Sequence, residues 1–227
     1  MTGVSLNQSK FLNFLSVIEN LKCSKSILVL LSERLQEDGI LGYKYKEIHR
    51  PFLKKPRRNL IEFYSSTYNN RLDDLFNREA QSELAQPSIL KVEDLQDLFL
   101  LFPTYGPYLR SGLFGLHWPG LPHDCPEADV SFLGMILQKT YSIISVIEAQ
   151  QEQNNLALTK REIDVLACLS SGLNNQQVAN ILEISVHTVN GYVSRIMLKL
   201  GTSNRLNTGL AGLSTPEVLS RTHVLIP

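Results

Sequence analysis

Cysteine, methionine and tryptophan are scarce in this 227-residue chain, with three, three and one respectively. Cys23, Cys125 and Cys168 are odd in number and far apart, which excludes a disulfide framework and suits reduced thiols in a cytoplasmic protein. Long apolar runs are also missing. The densest, Ile27–Leu31, falls well short of the ~20 residues that cross a bilayer, so no membrane partner is expected. The stretch from Met1 to Lys10 lacks the basic and apolar regions of a secretory signal. Charge of either sign is not in excess: 22 Lys+Arg stand against 22 Asp+Glu. That balance excludes a uniformly basic nucleic-acid coat and a polyacidic tail, but not a basic module joined to an acidic one. No nucleophile–base set, Gly-rich phosphate loop or pair of catalytic carboxylates stands out, so neither an enzyme nor a cofactor is expected. His123-x-Cys125 has no further ligands at regular spacing, which argues against a metal.

What is present is enough apolar residue, 43%, to bury a real core, over a length that suggests two domains. Apolar periodicity stops at Ala149–Ala157, AQQEQNNLA. The expected division is a domain over 1–150, a linker over 151–157, a second domain over 158–213 and an extension over 214–227. Beyond residue 155 the basic residues are Lys160, Arg161, Arg195, Lys199, Arg205 and Arg221, and the acidic ones Glu162, Asp164, Glu183 and Glu217. The neutral total therefore conceals a mildly acidic body and a mildly basic carboxyl end.

The amino region reads as mixed α and β. Ser9–Asn20 carries a helical apolar stripe, and Gly39–His49 alternates like a strand around Tyr43, Tyr45 and Ile48. Asn69–Leu84 is a polar helix with Leu72, Leu75 and Phe76 on one side. Ser111–Trp118 is the best strand, closed by Pro119–Gly120. From about Pro126 to Gln150 runs a long helix, with Asp124 as its cap.

The carboxyl region reads as four short helices. Thr159 and Glu162 form a capping box before Ile163, Leu166 and Leu169, and Gly172 stops the first helix. Asn174 or Asn175 caps a second helix that buries Val178, Ala179 and Leu182. After the turn Glu183–Ile184–Ser185, Ser185 caps a third helix that buries Val189, Val193 and Ile196 and stops at Gly201. Ser203 is placed to cap a fourth through Leu206 and Leu210. Two helices joined by so short a turn, with small Ala179 at their crossing, form a helix-turn-helix.

This ordered set resembles the DNA-binding domain of LuxR-type bacterial transcription regulators. The carriers are Leu158-Thr159-x-Arg161-Glu162, Val165-Leu166, Gly172, Asn175, Val178-Ala179, Ile184-Ser185, Thr188-Val189, Lys199-Leu200-Gly201 and Asn204-Arg205. The resemblance implies a third helix in the major groove, meeting base edges through Val186, His187, Asn190, Gly191 and Ser194, with Arg195 on the flank. It implies phosphate contacts from Asn174, Asn175, Gln176, Thr188 and Lys199. The chain departs from the family at Asn190, where a basic residue is usual, at Gly191, where a polar one is, and at Tyr192, often histidine. A base-reading face with so little charge implies weak binding by the isolated domain, with dimerisation or a partner supplying the rest.

In such regulators the amino domain hears the signal. A phosphoacceptor receiver is not expected, because βα alternation is absent and Asp73–Asp74 lies within a helical pattern. A lactone-binding domain shows Trp-x3-Tyr with an Asp nine residues on; here Tyr64-x3-Tyr68 is followed at that distance by Asn77. A GAF-like α-β-α sensor ends on a Gly-rich strand and a long helix, as 111–150 does. Tyr43, Tyr45, Tyr64, Tyr68, Phe114 and Trp118 are the aromatic candidates for a small-molecule pocket, although most aromatics in any domain are core. Lys54-Lys55-Pro56-Arg57-Arg58 reads as a solvated basic loop.

The fold expected is α+β: an amino-terminal α-β-α sensor-like domain, autoinducer-binding or GAF-like, followed by an all-α four-helix helix-turn-helix domain. The function expected is that of a sequence-specific regulator of transcription bound to double-stranded DNA, a homodimer, with a small-molecule signal or protein partner at the amino domain. The rival is an anti-activator that sequesters another regulator and binds little DNA itself.

Overall fold

The computed structural model describes residues 6–47, 62–65, 72–80, 86–92, 97–120 and 125–225. Lys54–Arg58, Tyr68, His123 and Asp124 lie outside the described residues. The chain divides into two units, with the boundary between Ile147 and Glu148.

The amino unit is built on an antiparallel sheet of order β2-β1-β5-β4-β3. Its strands are β1 (Gly42–Glu47), β2 (Glu62–Tyr64), β3 (Ser88–Val92), β4 (Asp97–Gly106) and β5 (Arg110–Trp118). The register Tyr43↔Leu116, Tyr45↔Phe114, Leu98↔Trp118 and Phe102↔Phe114 places these side chains on one face, since alternate residues share a face. That face forms one core with the helices α1 (Gln8–Ile18), α2 (Ser24–Glu37) and α4 (Glu127–Leu156). The opposite face, with Phe99, Leu101 and Leu113, takes α3 (Asp73–Ala80) through Phe76, together with Leu72 just before the helix. Gly115 makes that closeness possible, because a Cβ there would stand 2.5 Å from Phe99 Cζ. The layers are thus helix, sheet and helix, as expected.

Several elements differ from the sequence reading. α2 and strands β2, β3 and β4 have no counterpart in it. α2 buries Ile27, Leu28, Leu31 and Leu35 behind an exposed polar face; β4 buries both faces, so its apolar run shows little alternation. α4 continues through the expected linker as far as Leu156. Its stretch Glu127–Glu152 is also long and apolar enough to cross a membrane, contrary to expectation, although Leu133, Ile136, Leu137, Tyr141 and Ile144 are buried in the protein core.

The carboxyl unit contains α5 (Lys160–Ser170), α6 (Asn175–Leu182), α7 (Val186–Leu200), α8 (Arg205–Leu213) and α9 (Pro216–Leu225). Thr159 accepts from the Glu162 N–H and the Glu162 carboxylate accepts from the Thr159 N–H, closing the expected capping box. Asn174 and Gln177 form a second box at α6, and Ser185 caps α7. Gly201 ends α7 at φ +64°, the left-handed region glycine enters without steric cost. Asn204, not Ser203, caps α8, because its side chain accepts from the Asn207 N–H. α9 adds a fifth helix to the expected four. It packs on α5 through fully buried Val218, and Arg221 Nε donates to Asp164 Oδ1 at 2.5 Å.

Candidate nucleic-acid interface

The helix-turn-helix is held from inside by Val178, Ala179, Leu182, Val189 and Ile196, all buried in one core with α5. Val193, expected in that core, is half-buried and packs at its edge. The turn is made by Glu183, which adopts φ 54° and returns its N–H to the Ala179 carbonyl. Ser185 follows at once: its Oγ accepts from the Thr188 N–H at 3.0 Å and lies 2.8 Å from the Thr188 hydroxyl. The sequence therefore stops α6 and starts α7 within three residues, which fixes the angle between them.

The α7 residues expected to read bases fall largely on the outer side. His187, Asn190, Ser194 and Arg195 are exposed, and Val186 and Gly191 are half-buried. A Cβ on Gly191 would meet nothing within 4 Å, so this position is open to solvent rather than reserved for packing. The Arg195 guanidinium stands 4.6 Å from the centre of the Tyr192 ring, a cation–π stack that pins it to the helix flank.

The residues expected on phosphates are more committed than their sequence positions suggest. Asn174 is exposed, with its oxygen on the Gln177 N–H at 3.0 Å. Gln176 is exposed and donates to Asn180 Oδ1 at 3.2 Å. Asn175 is half-buried: its Oδ1 accepts from Arg205 and its Nδ2 donates to Asn190 Oδ1 at 2.5 Å. Lys199 Nζ donates to Glu162 Oε2 at 2.7 Å and to the Ala157 carbonyl at 3.0 Å. Glu162 is 2% exposed. Burial pushes its carboxyl up, but the Lys199 ammonium and the hydrogen bonds with Thr159 outweigh this and hold it below the usual range. Arg205 also donates to the Leu173 carbonyl, and its removal from water lowers the guanidinium from its ordinary value. The sequence reading counts Arg205 with Asn204 among the carriers of the resemblance but assigns it no bond inside the domain.

The aromatic candidates of the amino unit separate in space. Tyr43, Tyr45, Phe114 and Trp118 are buried together, with Tyr45 and Phe114 rings 4.7 Å apart, whereas Tyr64 is 62% exposed. Tyr43 donates its hydroxyl to the Leu28 carbonyl. The indole N–H of Trp118 is buried and meets no acceptor among the described residues. His117 is paired with Asp97 at 2.9 Å, as a structural sheet histidine would be.

A three-helix core with capped entries and an exposed polar third helix defines a helix-turn-helix module. Residues 156–208 match the model of the bacterial regulatory proteins of the luxR family, and this part of the chain is a LuxR-type helix-turn-helix domain. Among curated proteins, the chain is 41% identical over 63 residues to the transcriptional regulatory protein LnrK of Bacillus subtilis (strain 168), a match spanning 28% of this chain and 29% of that protein. It is 23% identical over 219 residues to the probable transcriptional regulator ycf29 of Guillardia theta, across 83% of this chain and 96% of that one. The whole fold resembles the crystal structure of Escherichia coli SdiA, with a TM-score of 0.64 at 13% identity, covering 92% of this chain and 98% of that one. A second SdiA structure, in complex with octanoyl-rac-glycerol, matches with a TM-score of 0.58 at 14% identity over 92% of this chain and 96% of that one.

Proposed function

We propose that the chain is a sequence-specific DNA-binding regulator of transcription that works as a homodimer in the cytoplasm. The observation that carries this reading is the outer side of α7, where His187, Asn190 and Ser194 stand exposed beside the capped start of α6. A helix so presented fits the major groove, where amide and imidazole side chains meet base edges. Val186, Gly191 and Arg195 complete the base-facing set. Asn174, Asn175, Gln176, Thr188 and Lys199 set the register against phosphates, together with the positive end of the α6 dipole. Enrichment from randomised duplexes tests the reading directly: a defined motif is expected, whose preference changes in Asn190→Ala.

The amino unit is the place for a small-molecule signal or a protein partner. Two observations support the first: SdiA, of similar fold, has been seen with octanoyl-rac-glycerol, and here the buried indole N–H of Trp118 meets no acceptor among the described residues. A ligand bearing a hydrogen-bond acceptor suits that group, since a buried donor left without a partner costs about 1–3 kcal/mol. Mass spectrometry of the protein purified from its native cell checks for a retained molecule.

One observation favours the rival anti-activator. Lys199 and Arg205, two of the six basic residues beyond residue 155, are engaged within the unit by Glu162, Asn175 and backbone carbonyls. Genome-wide immunoprecipitation of the native protein separates the readings, because a sequestering module leaves no reproducible footprint of its own.

A further inference from the structure

Three helices of the carboxyl unit are joined by a chain of side-chain hydrogen bonds that ends on the base-facing helix. Arg205, at the start of α8, donates to Asn175 Oδ1, and Asn175 Nδ2 donates to Asn190 Oδ1 on α7 at 2.5 Å. The direction of this chain is not arbitrary. A guanidinium has donors and no acceptor, so the atom of Asn175 that faces it must be the oxygen. The Asn175 amide nitrogen then points at Asn190, which can receive it only through its own oxygen. Asn190, exposed on α7, is left with its nitrogen outward.

We propose that Arg205 and Asn175 are positioning residues that set which way the Asn190 amide faces the DNA and thereby which base it prefers. The inference rests on the reading of α7 as a base-reading helix. With its donor outward and one oxygen lone pair remaining, Asn190 matches adenine, which offers N7 as acceptor and N6 as donor. Cytosine presents only the N4 donor in the major groove and is disfavoured. Arg205 itself touches no base in this scheme.

The test is enrichment from randomised duplexes by the full-length chain in three forms: native, Asn175→Asp and Asn190→Ala. Asn175→Asp keeps an acceptor for Arg205 and removes the donor, so Asn190 must turn its nitrogen inward and its oxygen outward. A carboxylate in the first turn of α6 also suits the helix dipole, so the fold is retained. The expected result is a swing of about tenfold toward cytosine at one position of the half-site, the same position that Asn190→Ala levels. The added negative charge weakens all sequences alike and does not alter relative base preference. A second variant, Arg205→Leu, frees the Asn175 amide to flip and should broaden preference at that same position.

If the native chain enriches a motif and both Asn175→Asp and Arg205→Leu keep the native preference at every position, the relay is overturned while the DNA-binding reading stands. If the native chain enriches nothing, the DNA-binding reading fails and this inference falls with it.

Discussion

At the scale of single residues, the carboxyl unit spends its polar groups on itself as much as on its outer surface. Lys199 is placed on the phosphate side by sequence resemblance, yet it is the partner of a buried carboxylate. Lys199→Ala is therefore expected to lower folding stability, by about 1 kcal/mol, as well as weakening all DNA sequences alike. Paired thermal melts and titrations of the same preparation check both effects. The pH behaviour follows from Glu162. Its carboxyl is held below its ordinary value of 4.5 in the folded chain, so its stabilisation is present above that value and is lost as pH falls through the folded value. The stability deficit of Glu162→Gln should accordingly be largest above pH 4.5 and shrink below it, as measured by denaturant unfolding across that range. Gly191 gives the opposite sign. With open space around its Cβ position, Gly191→Ala should stabilise α7 by about 1 kcal/mol, visible as a raised Tm. These commitments were only partly legible in sequence. Thr159 and Glu162 announce a capping box by spacing, but nothing local shows that Lys199, 37 residues on, closes over the same carboxylate.

At the scale of elements, legibility follows how local the determinants are. Capping residues and apolar spacing act within a few positions, so α5, α6 and α7 and the turn before Ser185 are readable in the chain itself. β4 is not, since its pairing with β3 and β5 covers both its faces and removes the alternation that marks a strand. The same holds for α9, whose burial of Val218 depends on α5, some fifty residues earlier. Val218→Ala should cost about 2 kcal/mol, from the apolar surface that it withdraws from water, and a denaturation curve checks it. The turn between α6 and α7 stores a different cost. Glu183 sits at φ 54°, where a residue with a Cβ is strained, and Glu183→Gly relieves that strain. The expected gain is up to about 1 kcal/mol, offset in part by the added freedom of the unfolded chain.

At the scale of the whole molecule, zero net charge does not contradict a nucleic-acid partner, because charge is distributed unequally along the chain. The carboxyl end nevertheless holds few cations, and Lys199, Arg205 and Arg221 are committed to partners within the unit. Binding that relies on geometry and on two copies, rather than on bulk charge, carries a distinct signature. The slope of log affinity against log salt should be shallow, about two to four counterions per protomer. Light scattering after size exclusion should give twice the chain mass. The measurement that bears most directly on the proposed function is the affinity of the full-length chain for its enriched duplex and for a scrambled one of equal length, at physiological salt. A ratio of about a thousand or more, lowered about tenfold by Asn190→Ala, is the result expected. Equal, weak affinity for both duplexes would contradict it.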